Sequence, residues 1–559
     1  MSTVSAATHT VLPADSNQAL GLAHYALDFM WKPAPQGGGD PDASVLERTE
    51  MFHTDACLCG ISALALGTNA PTLLRREALG YTVMPGGSGT LAPVGAAKKH
   101  GATVFGSNIM VQPEKAVAAN SAAVREWDSN GTNFGYNPAL GHTAGEFGHN
   151  DFYPVAVAAA QMMGMDGAFA LKGMVLLDEI RGRLAEVFSL KSYKIDHVVH
   201  GAIASAAAFG AMLKATPEQI ESAIGMVVAH SIPFRAIRAG KQLSDSKGAS
   251  AAISTEAAVL ATKRSMAGFL GPRDIFRNPE AIFRLFEGPG QMFQKVGSAT
   301  ANTDKAYASP FELVLGRAGA DFAVMGMHFK LGLYEHQSAG ALQGLIDLLN
   351  KNPRLLDDAG GGRIRKIEVT AYEPAFGIIG DPAKRDPKTR QSADHSMLYL
   401  VCTKLRKALE LRESRNGSGP GTLGFKELML LPDDFSAEAI HHPVTRSLME
   451  KMTFAHGGEE YDRRYPDGIP TSIAITDDAG QRHDSGLVMY PSGHARNTTA
   501  DLKGILTHKW TKLGELAVGD GGPAAARSLT ARYSGMSRKS AAEVADLNDF
   551  VLTVRGRFE

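Results

Sequence analysis

Apolar residues from about position 15 to 320 recur at helical spacing, and the breaks between them carry helix-capping chemistry. Thr216-Pro217-Glu218-Gln219 is a capping box with proline at the first helical position: the threonine hydroxyl accepts from the amide three residues on, and Gln219 reaches back. This predicts a helix running to about Ser231, ahead of Pro233. Asn278-Pro279-Glu280 opens a shorter helix over residues 281–286, whose bulky apolar positions imply burial. Alanine-rich segments at 116–127, 155–163, 201–213 and 248–263 let helix axes approach closely and predict a compact helical domain.

After about residue 320 strand-like alternation begins. Ile367, Val369 and Ala371 alternate with Lys366, Glu368 and Thr370, a strand with one buried face. Residues 472–476 form a second strand, and Asp477-Asp478-Ala479-Gly480 supplies turn chemistry before 487–490, which predicts a hairpin between these segments. A helix over 339–349 lies between the strands, so the unit is α+β. From about Asn497 the texture is helical again. The chain is therefore expected to be mainly α with an α+β lid, divided into a helical domain at 1–320, the lid at 321–496 and a helical return at 497–559.

Composition sharpens this. With 559 residues, 44% hydrophobic and 21% charged, the chain can bury a large core. Lys+Arg of 57 against Asp+Glu of 58 leaves no global field for nucleic acid or an anionic membrane surface, so any anion selectivity must be local. No stretch approaches the ~20 consecutive apolar residues of a spanning helix. The first twenty residues carry Asp15 and no Lys or Arg, and the ending Gly556-Arg557-Phe558-Glu559 is not a Ser-Lys-Leu signal, so a cytoplasmic protein is expected. Cys57, Cys59 and Cys402 are too few for a disulfide framework. Cys57 and Cys59 fall in a helical apolar stretch where positions two apart do not face each other, so they read as buried structural thiols rather than cluster ligands. Gly86-Gly87-Ser88-Gly89 lacks the Lys-Ser/Thr of a phosphate loop, and neither a His-Glu-x-x-His helix nor a Gly-x-Ser-x-Gly elbow in strand-turn-helix context occurs.

What remains is a set of polar runs inside apolar surroundings. Arg125-Glu126-Trp127-Asp128-Ser129-Asn130-Gly131-Thr132 leaves an alanine-rich helix and enters a loop, followed by Gly148-His149-Asn150-Asp151. Loops held by rigid helices are where reacting groups sit, though a helix cap alone would use Asp128 and Asn130 in the same way. Arg235, Arg238, Lys241 and Lys247 form a basic segment ending at the start of a helix, suited to carboxylates or to a solvated face. A third group is Phe329-Lys330 with Tyr334-Glu335-His336-Gln337-Ser338; a fourth is Ala393-Asp394-His395-Ser396, a helix N-cap with a histidine.

At these residues the chain resembles the MmgE/PrpD family, which includes 2-methylcitrate dehydratase, cis-aconitate decarboxylase and an iminodisuccinate epimerase. The resemblance begins at Tyr25-Ala26-Leu27-Asp28-Phe29 and runs through Arg125–Thr132, Gly148-His149, Asp196-His197-Val198-Val199, Arg238–Gly248, Lys330, Gln337-Ser338-Ala339, Asp394-His395 and Tyr490-Pro491-Ser492-Gly493-His494. It implies a large all-helical domain made from both chain ends, an inserted α+β lid and a homodimer. Carried over position by position, the catalytic residues are Asp128, His149, His197, Lys247 and Tyr372, with Thr132, Arg238, Lys241, Lys330 and His395 binding substrate. Lys241 competes with Lys247 for one position, and His142 with His149 for another. The sequence departs from many relatives at Gly131, where they carry a second acidic residue.

The resemblance implies a cofactor-independent dehydratase, without metal, acting on 2-methylcitrate or a similar di- or tricarboxylate as in propionate catabolism, with neither nucleic acid nor membrane as partner. His149 is the expected base, His197 or Tyr372 the acid, and Asp128 orients a histidine; cations oppose the charge that builds on a carboxylate when its neighbouring carbon loses a proton. Decarboxylation of cis-aconitate or epimerisation or isomerisation of another polycarboxylate would use the same parts. A noncatalytic small-acid binder is the reading suggested by Gly131.

Overall fold

The computed structural model describes residues 8–83, 99–238, 243–285, 308–415 and 421–558. Lys241, the 86–89 glycine run and the end of the 281–286 segment lie outside them. The fold is mainly α with a small α+β region.

The alanine-rich segments are helices Pro113–Arg125, Tyr153–Met163, Val198–Met212 and Asp245–Met266. Val198–Met212 is buried all round, as a helix central to a bundle must be. Small side chains make that burial possible: a Cβ at Gly201 would stand 1.9 Å from the Phe152 ring, which lies directly against the helix backbone. Pro217–His230 carries the full Thr216/Gln219 capping box. The helix after Pro279 is described over Ile282–Leu285, and its expected end lies outside the described residues.

The α+β region is built on a four-stranded sheet in the order Met452–His456, Ile364–Ala371, Thr471–Asp477, Arg482–Asp484. Ile367 pairs with Met452 in parallel register and with Ile475 in antiparallel register, so one apolar face runs across three strands. The hairpin after Thr471–Asp477 returns first through Arg482–Asp484, with Ala474 opposite Asp484, and then continues through the expected 487–490 segment, where Val488 exchanges both backbone hydrogen bonds with Thr471. The Asp477–Gly480 turn is tight enough to begin pairing at once, so the polar Arg482–Asp484 strand precedes the more apolar 487–490 segment. Ala339–Lys351 packs on this sheet.

Helix Leu502–Val518 lies against Ala43–Ala65 of the helical bundle. Its buried Lys509 bridges Asp55 at 2.8 Å and donates to the carbonyls of Ser129 and Lys330 at 2.7 and 2.9 Å. One ammonium thus fixes the backbone of two candidate site segments. No single helix among the described residues is long and apolar enough to cross a membrane.

Candidate active site

The Pro113–Arg125 helix stops where the chain turns through Asp128, which adopts a left-handed φ of 50°. Aspartate tolerates this conformation better than most residues and here ends a helix with it. The turn buries the carboxylate completely, with Arg125 and Lys330 hydrogen-bonded to Oδ1, Lys247 at 3.2 Å and His395 Nε2 at 3.3 Å from Oδ2. Burial alone would raise its pKa, but Arg125, Lys330 and Lys247 together hold the carboxyl well below the usual carboxylate range.

Lys247 occupies the first turn of Asp245–Met266 and also meets Asp394 at 2.9 Å. Asp394 in turn accepts from His395 Nδ1 at 2.6 Å, and Ser396 caps the Met397–Ser414 helix that begins just after them. Arg238 is bound to Asp196 and donates to Ser250 at 2.9 Å. These are closed ion pairs, not cations facing open space.

Above them lies a cleft of about 40 Å³ lined by Arg125, His149, His197, Arg235, Arg238, Lys247, Glu335, Gln337, Lys384 and His395, among others. The His149 and His197 rings are 5.3 Å apart. His149 is delivered by the short pairing of Thr132-Asn133 with Gly148-His149, and His197 by the N-terminus of Val198–Met212. Burial, then the neighbouring Arg125 and Lys330, holds His149 well below its ordinary pKa. His197 is lowered likewise, burial and Arg238 outweighing Asp196. Both rings are neutral near pH 7. Asp196 lies 3.7 Å from His197 Nδ1, favouring the proton on that nitrogen and leaving Nε2 as the lone pair.

The structure thus brings Asp128, His149, His197, Arg238, Lys247, Lys330 and His395 into one cluster, with Asp128 and Lys330 beneath the cleft. Neither Thr132 nor Tyr372 lines the cleft, although the Glu335 carboxylate of its wall acts on Tyr372. The Thr132 hydroxyl donates to the Gly148 carbonyl at 2.9 Å, so it holds the segment carrying His149. Tyr372 is buried against Tyr465 with ring centroids 4.6 Å apart, does not line the cleft, and has its hydroxyl pKa raised well above 10 by burial. His142 pairs with Glu186 at 2.9 Å in a separate surface depression. Lys241 lies outside the described residues.

Sequence reasoning missed Lys384 altogether, gave no role to Glu335 or Gln337, and placed Arg235 only in the basic segment suited to carboxylates, without naming it as a site residue. Lys384 offered no local signal, since its short turn at Pro382–Lys384 reads as an ordinary loop. The room a second acidic residue would need is filled as well: a Cβ at Gly131 would lie 2.5 Å from Phe52, whose ring stacks on Phe329 at 3.8 Å. Donor atoms of Asp128, Glu335 and His395 lie within 4.8 Å of one another, a spacing a metal could use. Yet Arg125, Lys247 and Lys330 already stand on Asp128, and a divalent cation would have to displace or face them. Cys57, Cys59 and Cys402 are buried free thiols away from the cleft, and burial pushes Cys59 up to about 12.

A helical bundle joined to an α+β unit, with a buried ionic cluster beneath a histidine-bearing cleft, is the class of protein that these elements define. The MmgE/PrpD N-terminal domain matches residues 37–294. A mitochondrial 2-methylcitrate dehydratase of Yarrowia lipolytica is 25% identical over 476 residues, covering 81% of this chain and 77% of the relative. A 2-methylcitrate dehydratase of Salmonella typhi is 23% identical over 441 residues, covering 75% and 79%. Together these matches support the MmgE/PrpD family for this chain.

Proposed function

We propose that this chain is a lyase that removes water from a hydroxy polycarboxylate of the 2-methylcitrate class without metal or organic cofactor. The observation that carries the reading is the neutral His149/His197 pair on the wall of a cleft that also presents Arg235, Arg238, Lys247 and Lys384. The names of the two relatives point to the same reaction.

In this reading His197 Nε2 takes the proton from the carbon beside a substrate carboxylate. The resulting imidazolium returns it to the departing hydroxyl, so water leaves, the carbon–carbon double bond forms and His197 ends neutral. His149 acts differently from the expected base. Its Nε2 accepts from Arg125 at 3.2 Å, so the neutral ring carries its proton on Nδ1, and it serves as a hydrogen-bond donor to the substrate. Negative charge building on the carboxylate is stabilised by fixed cations in a water-poor site. A homodimer, the assembly implied by the resemblance, belongs to the same proposal and is checked by light scattering.

The test is a panel of hydroxy di- and tricarboxylates and their dehydrated forms, followed for alkene absorbance and for carbon dioxide. Alkene and water formation is the expected result, unchanged by chelators. Carbon dioxide released without a dehydrated product would replace this reading by a decarboxylase, and activity lost on chelation and restored by a divalent ion would refute metal independence.

A further inference from the structure

The cations that the sequence marks as carboxylate clamps are already spoken for. Lys247 sits between Asp128 and Asp394, Lys330 holds Asp128 with Glu335 at 3.7 Å, and Arg238 is bound to Asp196. Two cations of the same cleft differ. Lys384 is 8% exposed, yet its ammonium has no hydrogen bond or ion pair among the described residues. The half-buried Arg235 guanidinium likewise has no side-chain partner among them. The segment 239–242, Ala-Gly-Lys-Gln, contains no acidic residue that could pair with either.

Glu335 and Asp381 act on Lys384, and Asp196, Glu146 and Glu335 on Arg235, only from beyond ion-pair distance, so both partly desolvated cations keep room for the charge of a ligand. The two come from different parts of the fold. Arg235 begins a turn whose amide donates to the Lys194 carbonyl at 2.8 Å, next to the segment that carries Asp196 and His197. Lys384 ends a turn opened by Asp381, whose carboxylate accepts from the Ala383 amide at 2.8 Å, a short way beyond the Ile364–Ala371 strand.

We propose that Arg235 and Lys384 are the pair that receives the carboxylates of the ligand, one from the helical bundle and one from the α+β unit, so that a di- or tricarboxylate bridges the two. The paired lysines Lys247 and Lys330 then serve to keep Asp128 ionised and placed rather than to clamp the ligand. This rests on the cleft being a polycarboxylate site, as proposed above. It assigns the substrate-binding role to residues outside the set that the family resemblance supplies. Burial, with Lys247 nearby, lowers the Lys384 pKa to about 8, leaving it mostly charged at neutrality and ready to pair.

Tricarballylate, a tricarboxylate with no hydroxyl to eliminate, is the probe, titrated calorimetrically into the wild type and into Lys384→Gln, Arg235→Gln and the double variant. Each single change should raise Kd at least about tenfold and the double change far more, while Lys384→Arg keeps most of the affinity. In the wild type, tricarballylate should also slow acylation of Lys384 by succinic anhydride, read by mass spectrometry, which keeps the proposal testable should a variant fail to fold. Unchanged affinity in the folded variants, absence of protection, or no binding of tricarballylate to the wild type would each overturn the pair. Turnover of a hydroxy polycarboxylate with unchanged KM in both variants would do so while leaving the lyase standing. Binding lost in the variants, with no turnover of any panel member by the wild type, would uphold the pair and remove the lyase.

Discussion

Arg125 donates to His149 Nε2 at 3.2 Å, and this contact decides what the histidine is able to do. A guanidinium has no acceptor, so Nε2 is a lone pair and the remaining proton of the neutral ring is on Nδ1. Asp128 is hydrogen-bonded to the same Arg125, so one residue sets both the carboxylate and the tautomer. In the proposed reaction this leaves His197, 5.3 Å away ring to ring, as the base.

From this follows a pH profile. Both histidines are held well below their ordinary pKa, chiefly by burial, so neither gains a proton as pH falls through about 6.5. kcat/KM should stay flat from about pH 7 down past 6, where a solvent-exposed histidine base would already be titrating. An acid limb centred near 6.5 would contradict the assignment. His197→Gln should lower kcat by on the order of 100-fold or more while tricarballylate affinity changes little.

Gly131 tests whether the departure from relatives is imposed by packing. A Cβ there meets the Phe52 ring at 2.5 Å, and the ring is pinned by Phe329 and buried. Gly131→Ala should therefore destabilise by about 1–3 kcal/mol. In a Phe52→Leu background the same change should cost clearly less than in the wild type. Equal penalties in the two backgrounds, measured by urea unfolding, would show that the ring is not what excludes a side chain.

Lys404 offers a stability test remote from the cleft. It is fully buried on the Met397–Ser414 helix, and its ammonium has no hydrogen-bond partner among the described residues and lies 4.1 Å from the Phe425 ring centre. Burial, with Lys407 adding to it, lowers its pKa from 10.5 to about 7. Between these values the unfolded chain binds the proton more strongly. Its contribution to stability is therefore present at high pH and is lost as pH falls through about 7, a slope of at most about 1.4 kcal/mol per pH unit. Lys404→Met should remove that slope and stabilise the protein by about 1–3 kcal/mol at pH 6. Urea unfolding from about pH 6 to 9 checks both, and an unaltered slope would count against the buried lysine as its source.

The parts of this molecule that the sequence made legible are those in which the signal is local. Alanine-rich runs gave helices because small side chains act through their own backbone, and the Thr216–Gln219 box is complete within four positions. Asp128 and His149 stood out as polar runs in apolar surroundings, whereas His197 entered through the family resemblance. What stayed hidden depends on distant partners. Thr132 is turned to Gly148 by strand pairing, and Tyr372 to Tyr465 by ring packing. Whether a cation is paired is also invisible locally: Lys247 meets Asp394 across 147 positions of sequence, while Lys384, in an unremarkable turn, meets no acid among the described residues. The hairpin's return at 487–490 was legible from its apolar residues, while the short polar strand that begins at Arg482 was not.

Lys247 is where a clamp and a structural ion pair predict different outcomes. At 2% exposed and shared between Asp128 and Asp394, its removal leaves two buried carboxylates short of a counter-charge. Lys247→Met should cost about 3–5 kcal/mol of stability in addition to turnover. A clamp that met only the ligand would lose turnover and leave the unfolding midpoint nearly unchanged. Neutralising one partner separates the cases further: Asp394→Asn in the Lys247→Met background should recover part of the lost stability, with a coupling of about 0.5–3 kcal/mol. Lys241→Met, at the other register of the basic segment, serves as the comparison and should leave turnover largely intact. Additive single and double changes at Lys247 and Asp394, with full stability in Lys247→Met, would return Lys247 to the role of ligand clamp.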